Sequence, residues 1–127
     1  MNSSIQVNGI KITIASREVY KDNEKYEIKI SNKTDKTILI DTTKELNSIT
    51  LTANNGVEYN SNIRELASIF RSIDAGHTRT IKLKFNKIYS VNAEPQGITF
   101  TDIVPDYEKY QQKPSETKER FRISVSM

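Results

Sequence analysis

His77 is the only histidine in the chain. Histidine-based triads and most zinc sites need that ring beside a nucleophile or further ligands. His77 follows Asp74-Ala75-Gly76, a stretch that reads as a turn, where a solvated polar side chain is ordinary. Carboxylates are the next candidates. Asp102, Asp106 and Glu108 gather in one stretch, and Asp22 with Glu24 in another. Paired carboxylates can perform acid–base chemistry or hold calcium. Neither cluster has the regular oxygen-ligand spacing and glycine of a calcium loop, so both read as solvated turn residues. No serine sits in a nucleophile elbow. Gly9, Gly56, Gly76 and Gly97 stand apart in separate turns, which rules out a phosphate loop. There is no cysteine, hence no disulfide and no thiolate metal centre. No nucleophile–base pair emerges, and the expectation is a non-enzymatic domain with no metal and no cofactor.

Residues suited to binding are easier to name. Tyr107 and Tyr110 lie three apart among Glu108, Lys109, Gln111 and Gln112. Tyrosine offers large contact area and a hydroxyl at little entropic cost, so it is enriched at recognition surfaces. The alternative is that a tyrosine folds back to cover a sheet edge. Lys82, Lys84, Arg120 and Arg122 project outward from two predicted strands. They read either as a basic patch for an anionic polymer or as solubilising charges that guard a sheet edge.

Strands must position these groups. Period-two alternation dominates the chain and marks strands with one buried face. Ile10, Ile12 and Ile14 alternate with Lys11 and Thr13; Tyr26, Ile28 and Ile30 with Glu27 and Lys29. Ile49, Leu51 and Ala53 repeat the pattern, as do Ile81, Leu83 and Phe85, then Ile98 and Phe100, then Phe121, Ile123 and Val125. A short strand is predicted over Thr37 to Ile40. Asn54-Asn55-Gly56 supplies the positive φ angles of a hairpin turn before Val57 and Tyr59. About seven to nine such strands need two facing sheets to bury them, which gives an all-β, immunoglobulin-like antiparallel sandwich. Ile63, Leu66, Ala67 and Phe70 have helical spacing behind Asn62 and Glu65, predicting a short helical turn over 63–70. From 105 to 119 the chain turns polar between Pro105 and Pro114 and reads as a long loop before the last strand.

The 127 residues form one expected domain, 1–127, large enough to bury a core. Net charge is +3, from 19 basic and 16 acidic residues interleaved along the chain. That is a poor footprint for nucleic acid, so no nucleic-acid partner is expected. No apolar run is long enough to cross a bilayer.

Three stretches carry a family resemblance. Tyr26-x-Ile28-x-Ile30-x-Asn32 with Thr34-Asp35 is similar to a strand-then-asparagine turn. Ile49-x-Leu51 through Asn54-Asn55-Gly56 to Tyr59 is similar to a glycine hairpin with a following tyrosine. Gly76-x-Thr78 to Phe85, then Ile98-x-Phe100, is similar to a strand pair after a Pro-Gly turn, with Ala75 in the proline's place. Together, over roughly residues 8–103, they resemble a family of immunoglobulin-like domains of unknown function. That family occurs in secreted proteins and lipoproteins of Gram-positive bacteria and is similar to the mycobacterial immunoprotective extracellular antigen. The resemblance implies an extracellular or cell-envelope location, given an export signal or anchor outside this sequence. It implies no catalytic residues. The expected function is a non-catalytic binding or structural module whose partner is an envelope protein or a cell-wall polymer. A carbohydrate- or anionic-polymer-binding module on the same fold is the alternative, and a small hydrolase is less favoured.

Overall fold

The computed structural model describes residues 3–40, 49–60, 72–86, 94–117 and 119–127. Ten strands and one short helix occupy them: β1 (Ser3–Val7), β2 (Ile10–Val19), β3 (Asn23–Asn32), β4 (Ile38–Ile40), β5 (Ile49–Ala53), β6 (Glu58–Asn60), β7 (Ser72–Ile73), β8 (Thr78–Asn86), β9 (Pro95–Val104), α1 (Tyr107–Gln112) and β10 (Phe121–Ser126). One sheet has the order β1-β2-β3-β8. The other runs β6-β5-β9-β4-β7, with β10 on the second edge of β9. Every pairing is antiparallel. The expected two-sheet sandwich is therefore what the chain forms.

The alternating apolar residues meet between the sheets. Ile10, Ile12, Ile14, Ile28, Ile30, Ile49, Leu51, Phe85, Ile98 and Phe100 are all fully buried in one cluster. Tyr26 joins it, with its ring edge against Phe85 at 5.7 Å between centroids. Strand β4 differs. Ile38, Leu39 and Ile40 are consecutive and all buried, so this strand is covered on both faces.

Strands β1 and β7 were not expected from the pattern. The first was legible, since Ile5 and Val7 alternate ahead of Asn8-Gly9. Those two residues have φ of 52° and 78°, the two positive angles of a two-residue hairpin. Strand β7 is two residues long, too short for any periodicity to show. The helical turn expected over 63–70 lies outside the described residues.

The polar stretch 105–119 is not all loop. Asp106 caps α1, its side chain accepting from the Lys109 N–H. The prolines that seemed to oppose regular structure bracket the helix instead. Pro105 precedes the cap and Pro114 follows the Lys113 C-cap, positions where a missing N–H costs nothing.

Candidate functional site

The predicted recognition tyrosines sit on α1, at the end of the sandwich where β3 and β9 finish. The Tyr107 N–H donates to the Thr37 carbonyl at 2.9 Å, and the Thr37 hydroxyl to Asp74 at 3.2 Å. Both Tyr107 and Tyr110 are only half exposed. The Arg120 guanidinium lies over the Tyr110 ring, 5.0 Å from its centroid. Arg120 also meets Asp102 at 2.8 Å and donates to the Thr117 and Glu119 carbonyls. Tyr110 and Arg120 are thus brought together, in a clamp that fixes the returning chain to β9. Lys36 reaches Asp106 at 3.6 Å, between two open clefts of about 350 and 410 Å³.

The carboxylates are dispersed to separate tasks. Asp102 holds Arg120, Asp106 caps α1, and Glu108 is exposed. Among the described residues no group of three or more metal-ligating side chains forms. His77 is exposed in its turn, where its backbone carbonyl accepts from the Asn32 N–H.

Glu24 is not a solvated turn residue. It lies in β3 and is 2% exposed. The cause is a bulge in β2. The register passes from Ile14↔Ile28 to Ser16↔Glu27, so Ala15 is the extra residue. Beyond it the alternation inverts, and Arg17 opposes Tyr26 on the inner face. The Arg17 guanidinium then donates twice to one Glu24 carboxylate oxygen. The Tyr26 hydroxyl is buried beside this pair without a hydrogen-bond partner. Burial, and then the Glu24 charge, pushes its pKa up to about 12.

The outer face of the β1-β2-β3-β8 sheet gathers five of the lysines that form no ion pair among the described residues. Lys82 and Lys84 project there from β8, as expected. The register adds Lys25 and Lys29 from β3 and Lys11 from β2. Lys25 stands directly opposite Lys84. Against these five lysines the face carries two acids, Glu18 and Glu27, and the rest is Ser, Thr, Asn and Gln. None of the five makes an ion pair with a described carboxylate. The paired cations Arg17, Lys36, Lys113, Arg120 and Arg122 all lie off this face. Arg122 projects from the other sheet and meets Glu58 at 3.5 Å. The four basic residues expected to form one patch are therefore split, Lys82 and Lys84 on one sheet, Arg120 and Arg122 with the other. Lys11 and Lys29 were visible in the sequence as outward residues of their strands. Only the strand order places them beside Lys82.

No family model matches the chain, and no curated protein matches it in sequence. Solved structures do share its fold. The yjhA protein of Bacillus subtilis superposes with a TM-score of 0.57 at 11% identity, over 98% of this chain and 95% of that one. A functionally unknown protein of Listeria monocytogenes gives 0.55 at 12% identity, over 99% and 81%. The secreted protein MPT63 of Mycobacterium tuberculosis gives 0.47 at 8% identity, over 79% and 83%. For the Bacillus and Listeria proteins, at these identities, the likeness is one of fold.

Proposed function

We propose that this domain is a non-catalytic binding module of a secreted or cell-envelope protein, and that it recognises an anionic partner through the outer face of the β1-β2-β3-β8 sheet. The location rests on the motifs at Tyr26–Asn32, Ile49–Tyr59 and Gly76–Phe100 and the family they resemble. The observation that carries the binding face is the Lys25↔Lys84 pairing. Like charges directly opposed across two strands destabilise a sheet, and neither lysine forms an ion pair among the described residues, although Glu18 stands opposite Lys25 on its β2 side. A ligand's negative charge would relieve them. The tyrosines of α1 support a carbohydrate platform less well, because Tyr110 is occupied by Arg120 and both rings are half-buried.

The test is binding of the purified chain to an immobilised polyanion across a salt series. Native protein is expected to elute at moderate salt, and Lys25→Glu/Lys84→Glu to flow through at low salt. Arg122→Glu on the opposite sheet should elute with native protein. Equal loss in both variants would mean that net charge, and not this face, governs retention.

A further inference from the structure

The lysines are not scattered over the sheet, and their arrangement bears on the kind of anion. Lys11 opposes Ser31, two residues along β3 from Lys29. Lys29 opposes Thr80, two residues along β8 from Lys82. Each step therefore crosses one strand and advances two residues. With strands roughly 4.8 Å apart and a rise of roughly 3.4 Å per residue, successive lysines are about 8 Å apart. Lys84 continues the line two residues beyond Lys82, and Lys25 beside it widens that end. The result is a diagonal stripe about 20 Å long crossing three strands.

Its margins are unlike each other. Glu18 and Glu27 both fall on one side. Ser31, Thr78 and Thr80 fall on the other, where the Ser31 and Thr78 hydroxyls lie 2.8 Å apart. A planar anionic surface needs cations spread in two dimensions and would be repelled by both acids. A linear polyanion laid on the diagonal passes beside them. The stripe has no aromatic ring on its course. The exposed Tyr20 stands at the acidic margin, bonded to Glu18, with the Lys25 ammonium 5.2 Å from its ring centroid. Base stacking therefore has no platform here. Duplex nucleic acid, with one charge per roughly 1.7 Å of axis, is also far denser than the stripe.

The geometry points to a linear phosphodiester polymer of small polyols as the ligand, one phosphate to each lysine and the Ser/Thr margin beside the polyol hydroxyls. A three-carbon polyol phosphate extends by roughly 7 Å per charge, close to the lysine spacing. This inference rests on the anionic-partner reading above and adds the ligand's class and its path.

Fluorescence anisotropy of a labelled glycerol-phosphate oligomer tests it on the full chain. Inorganic polyphosphate, single-stranded DNA and anionic phosphatidylglycerol vesicles serve as competitors at matched charge. The decisive variant is Thr80→Lys/Lys82→Thr, which keeps the net charge and moves one lysine off the diagonal. It should bind the oligomer at least tenfold more weakly than native protein, with only a small fall in melting temperature from the new opposition to Lys29. The glycerol-phosphate chain should outcompete the other three anions. Equal affinity of native and relocated proteins would overturn the stripe while leaving the face as an anion site. Preference for DNA, polyphosphate or vesicles would overturn the ligand class. Failure of native protein to bind any of the four would overturn the stripe together with the reading beneath it.

Discussion

At the residue scale, the densest chemistry in the molecule is structural. Arg17, Glu24 and Tyr26 form a polar cluster at the end of the sandwich away from α1, and one extra residue in β2 creates it. A buried carboxylate is tolerable only when paired, and Arg17 supplies the pair. Tyr26 is the discordant member, since its hydroxyl is buried without a partner. Its raised pKa has a stability consequence whose sign is fixed. The folded phenol keeps its proton up to about pH 12, whereas in the unfolded chain it ionises near its ordinary 10.0. Between those values the unfolded state binds fewer protons, so stability falls as pH rises. It is fully present below pH 10, and the loss across the window is on the order of 2 kcal/mol. Tyr26→Phe removes both the titration and the unpartnered hydroxyl. Urea unfolding should find the variant at least as stable as native protein at pH 7, with a flatter profile from pH 10 to 12. A parallel decline in the two proteins would place the alkaline sensitivity elsewhere.

At the element scale, β9 organises the second sheet, pairing with β5 and β4 on one edge and β10 on the other. Gly97 of β9 pairs with Ser126 of β10. A Cβ there would stand 2.7 Å from the Val125 carbonyl oxygen, a backbone atom that cannot rotate away. Gly97→Ala should therefore force β10 outward and cost about 2 kcal/mol, seen as a lower thermal midpoint. An unchanged midpoint would mean that β10 is held loosely enough to shift. The sequence alone located most of these strands, because alternation is a local property. Ile10 to Ile14 and Ile81 to Phe85 could be assigned inward and outward faces without knowing their neighbours. Strand order is not local. That β8 lies beside β3, and that Lys84 faces Lys25, depends on pairing between distant segments. The placement of the basic residues was accordingly half legible: Lys82 and Lys84 share one outer face, whereas Arg120 and Arg122 go with the other sheet. The bulge at Ala15 was illegible, since Ala-Ser-Arg-Glu-Val carries no turn residue and reads as a polar strand end. Helix α1 was legible in principle, from Pro105-Asp106 with Lys109 N–H three residues on, a capping signal outweighed by the polar composition around it.

At the scale of the whole molecule, the two outer faces are unequal. Leu39, Thr50 and Thr99 of the β9 sheet are buried, as are their inward neighbours. The β1-β2-β3-β8 sheet presents exposed Lys25, Lys29 and Lys82 to solvent. The open face also concentrates an excess of lysine over acid in a chain whose net charge is only +3. Concentrating like charge has a folding cost, which separates a binding face from a merely solubilising one. Lys84→Glu replaces a repulsive cross-strand pair with an attractive one to Lys25. It should raise folding stability by about 0.5 kcal/mol in low salt, with the gain fading as salt is added. The same substitution removes two units of charge from the end of the stripe and should weaken polyanion binding severalfold. Stability and affinity are thus expected to move in opposite directions from one substitution, read by urea midpoint and by anisotropy on the same preparation. If both fall together, Lys84 is a packing residue whose loss unsettles β8. A rise in stability with affinity intact would make the charge dispensable for recognition and leave the repulsion without a purpose.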